Sequence, residues 1–438
     1  MSVRFESVLP HPQRQVFTWH ERPGAFTRLS PPWHPTKIIS EADSLDGGRG
    51  VIRLPLGLRW VAQHSHYDPP HQFVDDLTSL PLPWHHEHRF EAISPNETRM
   101  IDTLKTPVPT RFVRKMFRYR HTQLRDDLAA QEVLSRFESG SLKVAITGSS
   151  GLVGSALSAY LGTAGHQVIR LVRYPTNHPL ERQWEPLDPD PAIFEGVDAV
   201  VHLAGASIAG RFCQQHKAQI RESRIEPTYR LAQAVAAAGD AKVLVTASAV
   251  GLYGFDEGPL PLDESMGMGQ GFLAQVVADW EAAAEPAETA GLRVVKVRTG
   301  LALSPKGGLL RLLYPLFLAG GGGRLGDGSS WMSWIDLDDL TDIYAHALVD
   351  ENLEGPINAV APNPVDNREF TKVLARVVRR PAITHVPRPV LSLVAGRETV
   401  QEIVCASQLV VPEVLLDNGF VFRRPSLEAS LRHQLGRF

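Results

Sequence analysis

Cysteine is scarce in this chain, whose 438 residues include only Cys213 and Cys405. Neither belongs to a CxxC pair or to a disulfide framework, and this usage is typical of a reducing compartment. The N-terminus also lacks the layout of a signal peptide, and no apolar run approaches the ~20 residues that span a bilayer. We therefore predict a cytoplasmic protein without a membrane segment.

An excess of either charge is also missing, because 45 basic residues oppose 48 acidic ones and the formal net charge is -3. The two signs are interspersed and leave no basic stripe for DNA or RNA, so we predict small-molecule partners and no nucleic acid. The sequence shows no internal repeat and no low-complexity segment. Its length predicts two or more domains, each with its own core.

The sequence pattern changes near Gly140 and Ser141, where we place a domain boundary. Residues 1–138 predict a strand at 4–8, helices at 11–19 and 23–29, and a succession of strands from Thr36. A long helix follows over 109–137, with an apolar stripe that starts at Phe112 and Met116. Residues 142–438 instead alternate strand and helix patterns, which is typical of an α/β domain.

The element order of the first domain resembles the helix-grip fold of the SRPBCC superfamily, which includes the START and Bet v 1-like domains. In that α+β fold a curved antiparallel sheet wraps a long C-terminal helix. The resemblance implies a gap between sheet and helix that can hold an apolar ligand. Five aromatic residues are candidates for lining such a gap or, alternatively, for filling the core: Trp60, Tyr67, Phe73, Trp84 and Phe90.

A glycine turn opens the second domain. The strand-like run 142–147 leads through Gly148, Gly151 and Gly154 into a helical run, and Gly165 separates that run from a second strand pattern. Gly148 permits a tight turn, Gly151 lets the backbone approach a pyrophosphate, and Gly154 lets the helix pack closely on the strand. The βαβ unit therefore predicts a dinucleotide whose phosphates meet the positive helix N-terminus.

The residue at the end of the second strand predicts which dinucleotide is bound. An acidic side chain there accepts a hydrogen bond from the ribose 2′-hydroxyl of NAD, whereas this sequence has Arg173, with Arg170 nearby. A guanidinium pairs well with a 2′-phosphate. We therefore predict NADP(H), with a surface arginine that binds no ligand as the alternative.

Motifs along the second domain resemble the extended short-chain dehydrogenase/reductases, and most closely their atypical epimerase-like subgroup of the SDR39U type. They are TGSSGLVG, VDAVVHLAGASI, VTASAVGLYG, VRTGLALSPKGG and WMSWIDLDDL. The resemblance implies a doubly wound parallel Rossmann sheet, a smaller substrate lobe mainly after residue 300, and, by analogy, a homodimer. The cofactor-binding candidates are Thr147, Gly148, Ser150, Gly151, Leu152, Val153, Gly154, Arg173, Leu203, Ala204, Gly205, Ala206, Arg224, Thr299 and Leu301.

The catalytic Tyr and Lys of that larger family, in the motif YxxxK, are absent. Alignment on Glu281 puts Leu273 and Val277 at the two positions, and neither side chain can transfer a proton. Ser248 falls at the position of the family's active-site serine, from which a hydroxyl can orient a substrate, and a structural turn serine is the alternative. Tyr253 is the candidate substitute acid, or a residue that packs beside the cofactor.

Other groups near this site are weaker candidates. By its spacing to Thr228, Arg224 occupies the place of an asparagine that organises the proton relay in many members. We interpret four carboxylates beyond Tyr253 as loop surface rather than as general bases, with a carboxylate folded over the site as the alternative: Asp256, Glu257, Asp263 and Glu264.

Two further patterns concern metal binding and mobility. His64 with His66, and His86 with His88, could share strand faces and bind zinc, but we predict hydrogen-bonded or exposed histidines and assign no metal. Gly320 to Gly323 predict a mobile loop, either a flap that carries Trp331 and Trp334 or a plain connection. Asp336, Asp338 and Asp339 are predicted to cap the next helix.

Two functions fit these patterns. The first is an NADP(H)-dependent oxidoreductase or epimerase-like enzyme that acts on a small substrate, with Ser248 orienting that substrate. The second is a protein that senses NADP(H) or binds a ligand without turnover, which the loss of Tyr and Lys favours.

Overall fold

The computed structural model describes residues 2–137, 140–255, 258 and 260–438. Its first part, which we call the N-terminal region (2–137), contains one antiparallel sheet with the strand order β1-β7-β6-β5-β4-β3-β2. The strands are β1 (Ser2–Leu9), β2 (Lys37–Ser40), β3 (Arg49–Arg53), β4 (Arg59–Asp68), β5 (Gln72–Leu77), β6 (His85–Ser94) and β7 (Glu97–Lys105). The helices are α1 (Gln13–Glu21), α2 (Ala25–Leu29) and α3 (Thr110–Leu134).

The long helix α3 packs on this sheet with one apolar face. Leu124 and Leu128 join Phe17, Phe73 and Phe90 in the core between sheet and helices. Nearer the start of α3, Val113 and Phe117 are buried against Val3 and Leu104 of the sheet. The predicted stripe is therefore displaced by one residue at its start, because Phe112 is 52% exposed and lies beside Arg111.

The second part, the C-terminal region (residues 140–438), is built on a seven-stranded sheet with the order β10-β9-β8-β11-β12-β13-β18, in which every pair is parallel. The strands are β8 (Lys143–Thr147), β9 (Gln167–Val172), β10 (Glu181–Gln183), β11 (Ala199–His202), β12 (Val243–Ala249), β13 (Arg293–Thr299), β14 (Leu301–Leu303), β15 (Gly323–Leu325), β16 (Trp331–Met332), β17 (Trp334–Asp336), β18 (Gly355–Ala359), β19 (Val365–Asp366) and β20 (Thr384–Val386). The helices are α4 (Leu152–Ala164), α5 (Gln214–Glu222), α6 (Ile225–Ala238), α7 (Phe272–Ala282), α8 (Glu285–Thr289), α9 (Gly308–Leu318), α10 (Leu337–Val349), α11 (Asn367–Val378), α12 (Arg388–Ala395), α13 (Arg397–Thr399), α14 (Glu413–Asp417) and α15 (Leu427–Gln434).

Both faces of the parallel sheet are covered by helices. Because side chains alternate along a strand, Val144 and Ile146 of β8 face a core shared with α4 and α10, whereas Ala145 faces a core shared with α6 and α8. This arrangement is the predicted doubly wound Rossmann-like sheet. In the described part of the chain, no helix is long and apolar enough to cross a membrane.

A smaller core lies beyond residue 300, and its packing corrects two expectations. Trp334 is completely buried there beside Phe370 and Leu431, so its side chain is not part of a flap. Gly323 opens β15, which pairs in parallel with β20, and a Cβ on Gly323 would lie 2.0 Å from the carbonyl oxygen of Thr384. The glycine run is therefore partly strand, because close strand pairing leaves no room for a side chain at this position.

Buried ion pairs join the N-terminal and C-terminal regions. Asp127 of α3 accepts two hydrogen bonds from Arg28, at 2.6 and 2.7 Å, and one from Arg423 at 2.6 Å. Arg28 also lies 2.8 Å from Asp338, and Arg423 bonds to Asp342. We call these five residues the junction cluster.

The junction cluster corrects part of the capping prediction. Asp336 does cap α10, since its carboxylate accepts a hydrogen bond from the backbone N–H of Asp338 at 2.9 Å. The side chains of Asp338 and Asp339 do not cap this helix. Asp338 pairs with Arg28, and Asp339 accepts a hydrogen bond from the backbone N–H of Arg423 at 2.6 Å.

We expect Asp127→Ala to lower the free energy of unfolding by about 3–5 kcal/mol, because Arg28 and Arg423 would stay buried without their shared carboxylate. Glu132→Ala on the same helix is the matched control. Glu132 forms an exposed pair with Arg136 at 3.9 Å, so its removal should change stability by less than about 0.5 kcal/mol. Equal urea midpoints for the two variants would contradict a stabilising junction cluster.

Acid should abolish the difference between Asp127→Ala and the wild type. Burial opposes ionisation of Asp127, but Arg28 and Arg423 outweigh it and lower the pKa of this carboxyl. A carboxyl with a lowered pKa stabilises the fold above its unfolded pKa of about 3.9, and this contribution disappears as the pH falls through the folded pKa. Melting temperatures measured from pH 7 to pH 3 should therefore converge only below about pH 4.

Candidate functional site

The glycine turn after β8 is closely packed against its surroundings. Gly148 has a φ of 65°, and a Cβ added to it would lie 2.8 Å from the carbonyl carbon of Leu203. A Cβ on Gly154 would lie 2.3 Å from the carbonyl oxygen of Gly148, so this glycine lets the helix approach the turn itself rather than the strand. Gly151 is exposed, and no side chain of the described residues caps α4. The first N–H groups of α4 are thus available to an anion.

Thr147, at the end of β8, holds the neighbouring strand in place. Its Oγ1 accepts hydrogen bonds from the backbone N–H groups of Leu203 and Ala204, at 3.0 and 3.2 Å. Its own hydrogen is therefore donated to Nδ1 of His202, 2.8 Å away. Burial lowers the pKa of His202 to about 4, which keeps the imidazole neutral and able to accept this bond. The sequence motif contains His202, but its role was missed because the threonine partner is 55 residues away.

The loop after β11 is fixed by Arg224. Its guanidinium donates hydrogen bonds to the carbonyl oxygens of Ala206, at 2.8 Å, and Ile220, at 3.1 Å, and lies 5.2 Å from the ring centre of Trp280. Burial lowers the pKa of Arg224 to about 10. A Cβ on Gly205 would come within 3.3 Å of the guanidinium carbon. Arg224 therefore positions residues 204–206 at the edge of the candidate cofactor site.

The two arginines near the end of β9 have different surroundings. Arg170 forms an ion pair with Glu181 at 2.6 Å. Arg173 is exposed directly after the carboxyl end of β9, on the same edge of the sheet as the glycine turn. Of the two, Arg173 has its guanidinium free of a carboxylate among the described residues.

Ser248 and Tyr253 belong to one buried hydrogen-bond network. Ser248 donates to Oε1 of Glu281 at 2.5 Å, and Arg298 donates to both oxygens of Glu281 at 2.9 Å. Arg298 also donates to the phenol oxygen of Tyr253 at 2.9 Å, and that phenol donates to Oδ1 of Asn358 at 2.8 Å. The network connects the ends of β12, β13 and β18 with α7. Its central pair, Glu281 and Arg298, was missed as a functional pair in the sequence.

The side chains that were candidates for catalysis form hydrogen bonds within this network. Tyr253 is 1% exposed and its proton is directed to Asn358, while burial raises the pKa of its phenol. Leu273 and Val277 pack beside Gly251 in the short turn after β12, with 3.6 and 3.8 Å to a Cβ placed there. The two YxxxK positions thus carry apolar side chains that pack on the turn after β12, with no polar group in their place.

The loop beyond Tyr253 differs from the prediction at one carboxylate. Glu264 is buried and accepts a hydrogen bond from the backbone N–H of Asn358 at 2.8 Å, so its prediction as loop surface was wrong. Asp263 binds the hydroxyl of Ser265. Asp256 and Glu257 lie outside the described residues.

The C-terminal segment covers the start of α7. The carboxylate of Glu402 accepts hydrogen bonds from the backbone N–H groups of Phe272 and Leu273, at 2.8 and 2.7 Å, and Glu398 pairs with Lys217 at 2.6 Å. Beside this contact lies a cavity of about 300 Å³. Its lining includes Phe255, Arg388, Arg397, Gln401, Cys405 and Ser407.

The remaining candidates, Thr299 and Leu301, lie on either side of a tight strand connection. Thr299 ends β13 and Leu301 begins β14, which pairs with β17. A Cβ on the intervening Gly300 would lie 2.4 Å from the carbonyl oxygen of Ser333. Both residues therefore stand at the carboxyl edge of the sheet, where ligands of such sheets bind.

We expect Tyr253→Phe to destabilise the protein by about 1–3 kcal/mol while leaving dinucleotide affinity within about twofold, because the lost hydroxyl satisfies buried partners. Tyr229→Phe, at a 37% exposed tyrosine, is the control and should be neutral. Urea unfolding and calorimetric titration measure the two quantities. A large loss of affinity with unchanged stability would instead assign Tyr253 to the cofactor.

Comparison with known proteins places this site in a family. The model of the NAD dependent epimerase/dehydratase family matches residues 144–361, and that of a domain of unknown function, DUF1731, matches residues 386–434. An epimerase family protein of Mycobacterium bovis is 43% identical over 297 residues, which are 67% of this chain and 98% of that protein. The epimerase family protein YfhF of Bacillus subtilis is 33% identical over 298 residues, covering 66% of this chain and 97% of that protein.

Two solved structures are similar over large parts of the chain. The nucleoside-diphosphate sugar epimerase of Corynebacterium glutamicum has 41% identity and a TM-score of 0.87, covering 99% of this chain and 90% of that one. The human epimerase family protein SDR39U1, solved with NADPH, has 31% identity and a TM-score of 0.62, covering 67% of this chain and 99% of that one. This chain belongs to the NAD dependent epimerase/dehydratase family, in its SDR39U1-like, epimerase-like group.

Proposed function

We propose that this protein is an NADP(H)-dependent oxidoreductase or epimerase-like enzyme. The observation that carries the proposal is the uncapped N-terminus of α4 beneath the turn of Gly148, with Arg173 exposed at the same sheet edge. The human relative whose structure contains NADPH supports the choice of cofactor.

Each candidate residue has a proposed part in binding. Backbone groups of Ser150, Leu152 and Val153 would meet the diphosphate at the helix N-terminus. Arg173 would pair with the 2′-phosphate, since a guanidinium forms strong charge-assisted bonds to phosphate. Residues 203–206, held by Thr147 and Arg224, would line the adenosine side, and Thr299 and Leu301 the nicotinamide side. When bound, the cofactor supplies or accepts a hydride.

The substrate we propose is small and anionic. Arg388 and Arg397 line the 300 Å³ cavity next to Phe255. Arg397 forms no ion pair with a carboxylate in the described part of the chain, whereas Arg388 has Asp327 in its vicinity. Cationic side chains that lack carboxylate partners suit a substrate carboxylate or phosphate. Ser248 would contribute by accepting a hydrogen bond, because its own proton is donated to Glu281.

A second candidate function, binding of NADP(H) without turnover, is favoured by one observation. The proton of Tyr253 is committed to Asn358, and apolar side chains fill the YxxxK positions, so no side chain named above offers a proton to a substrate carbonyl. In this case the dinucleotide would stabilise or regulate the protein.

For the N-terminal region we propose an SRPBCC-like helix-grip domain over residues 1–138, followed by the NADP(H)-binding domain over 142–438. The order of one strand, two helices, six strands and one long helix supports it, as does packing of α3 on the sheet. Phe73 and Phe90 belong to the core of this region, while Trp60 and Trp84 contact each other edge to face with ring centres 4.9 Å apart. The core interpretation of the aromatic residues is thus favoured over an apolar ligand.

We expect wild-type protein to bind NADPH more tightly than NADH, and Arg173→Ser to weaken NADPH binding about 10- to 100-fold with little effect on NADH, since a charge-assisted bond to phosphate contributes about 1.5–3 kcal/mol. Arg230→Ser removes a surface arginine from α6 and is the control. Calorimetry with both dinucleotides tests this. A cofactor preference that Arg173→Ser leaves unchanged would show that this arginine does not contact the 2′-phosphate.

A screen of carbonyl compounds with NADPH separates the two candidate functions. If the protein is an enzyme, we expect it to oxidise NADPH in the presence of a carbonyl compound that carries a carboxylate or phosphate. We also expect Arg397→Gln to raise the KM for that compound about tenfold or more and to change kcat less. Arg311→Gln, on the exposed face of α9, should behave as wild type. Stabilisation by NADPH without oxidation of any compound would favour the binding protein.

A further inference from the structure

A row of buried histidines and carboxylates lies inside the N-terminal region. His86 and His88 share one face of β6, with ring centres 3.8 Å apart, as their spacing predicts. Asp75 of β5 stands opposite His86 in the strand register, and Asp102 of β7 stands opposite His88. His66 does not join this row, because it is exposed and has a positive φ of 50° in the irregular end of β4.

Three side chains of this row converge on one point. Ligand atoms of Asp75, His86 and His88 all lie within 4.8 Å of one another. Oδ2 of Asp75 is 3.3 Å from Nδ1 of His86 and 3.1 Å from Nε2 of His88. The 3.1 Å contact with His88 is within hydrogen-bond range, and both separations are longer than the 2.7–2.9 Å typical of charge-assisted hydrogen bonds. Two ligands that each lie about 2.0–2.2 Å from a tetrahedral metal ion are about 3.3–3.6 Å apart, so the two separations here are at or slightly below that edge.

Counting hydrogen atoms also favours a cation at this point. Both nitrogens of His86 and both of His88 face a carboxylate: one of each faces Asp75, and the other faces Asp102 at 3.2 and 2.7 Å. A neutral imidazole carries only one N–H, so hydrogen bonds alone could satisfy all four contacts only if both rings were doubly protonated. A cation between Asp75 and the two rings would leave one N–H on each ring on the side of Asp102, where Nε2 of His86, Nδ1 of His88 and Oδ1 of Asp102 otherwise form no hydrogen bond of standard geometry among the described residues.

Asp102 has the position expected of a carboxylate that orients metal ligands. It is completely buried, and its Oδ2 accepts a hydrogen bond from Nε2 of His121 at 3.0 Å. Its Oδ1 lies 3.2 and 2.7 Å from the rings of His86 and His88. Histidine ligands of metals usually donate their second N–H to such a carboxylate, which fixes the ring and strengthens the ligand. The partly exposed Asp75 and the completely buried Asp102 together carry two negative charges that a divalent ion would neutralise.

The convergent point is reached from a cavity. The cavity has a volume of about 80 Å³ and is lined by Asp75 and His88 together with His20, His64 and Arg120. His20 is 6% exposed, and its Nε2 has no hydrogen-bond partner among the described residues. His64 lies beside Asp75, 3.5 Å from its Oδ1. Additional ligands, either His64 or a small molecule from the cavity, can complete a coordination sphere here.

We propose that Asp75, His86 and His88 bind a divalent transition metal ion such as Zn²⁺ or Fe²⁺. Two imidazoles and one carboxylate form a ligand set suited to these ions and poorly suited to Mg²⁺, which prefers oxygen ligands alone. The site is separate from the dinucleotide site and does not rest on the function proposed above. It replaces the sequence-based assignment of no metal.

The test uses the full chain, purified without a polyhistidine tag and then stripped with EDTA. We expect one equivalent of Zn²⁺ or Fe²⁺ in the unstripped protein by elemental analysis, and a rise of several degrees in melting temperature on adding ZnCl₂, or FeSO₄ without oxygen, but not MgCl₂. Added Co²⁺ should give visible absorption bands. If the bands change in the His64→Gln variant, His64 is a ligand. If they persist unchanged, the additional coordination position is filled by a small molecule from the cavity.

Three variants decide whether the named residues hold the ion. Asp75→Asn keeps the shape of the side chain and should weaken Zn²⁺ binding at least about 100-fold, and Asp102→Asn should weaken it about 10- to 100-fold. Asp76→Asn is the matched control, because Asp76 lies next along β5 and pairs with His85 at 2.8 Å outside the cavity. Equal melting temperatures in EDTA would show that all three variants fold.

Two results would overturn the proposal. The first is that unstripped wild-type protein contains no metal and that stripped protein shows no thermal shift with Zn²⁺, Fe²⁺ or Co²⁺. In that case hydrogen bonds alone would hold these residues together. The other is Zn²⁺ affinity that Asp75→Asn leaves unchanged or that Asp76→Asn lowers equally, which would place the ion elsewhere.

Discussion

The junction cluster constrains how the two halves of this protein are joined. Arg28 and Arg423 both lie on Asp127, with 5% and 7% of their side chains exposed, and each also binds a carboxylate of α10. Each of these buried charges needs an oppositely charged partner, because a single unpaired buried ion lowers the stability of the fold by several kcal/mol. A small rotation of α3 would separate several pairs at once. The position of α3 relative to α10 is therefore fixed more sharply than apolar packing alone would fix it.

A second set of buried charges fixes the candidate site in the same way. Glu281 and Arg298 tie α7 to β13, and through Ser248 and Tyr253 they also hold the loop after β12. The sequence resemblance implied a Tyr and Lys pair on one face of this helix. Here that face is apolar, and the hydrogen-bonding capacity of nearby groups is used within the protein. These hydrogen bonds hold the strand ends in fixed positions relative to α7.

The sequence predicted those parts of the structure that depend on neighbouring residues. Strand, glycine turn and helix follow one another within 23 residues, and the φ of Gly148 can be inferred from local sterics alone, so the βαβ unit was predicted within a few residues. The loss of YxxxK was equally visible, because its two positions lie on one helix. Long-range pairs could not be inferred in this way.

The errors follow from those long-range pairs. Glu264 reads as loop surface until Asn358, 94 positions later, is found to donate its N–H to it. Asp338 reads as a helix cap until Arg28, from the other half of the chain, is found beside it. A charged residue in a polar segment gives no local sign that a distant segment will bury it.

Helix α3 lies between the proposed metal site and the candidate dinucleotide site. His121 of this helix forms a hydrogen bond with Asp102, which faces His86 and His88. Asp127, six residues further along the helix, belongs to the junction cluster through its bond from Arg423. The cluster includes Asp338 and Asp342 of α10, and α10 begins directly after β17, the partner strand of β14 that starts at Leu301. An ion that orders His86 and His88 would also order Asp102 and its bond to His121. Each step between the two sites is a buried hydrogen bond, an ion pair or a strand pairing, so the two sites are joined by one continuous series of contacts.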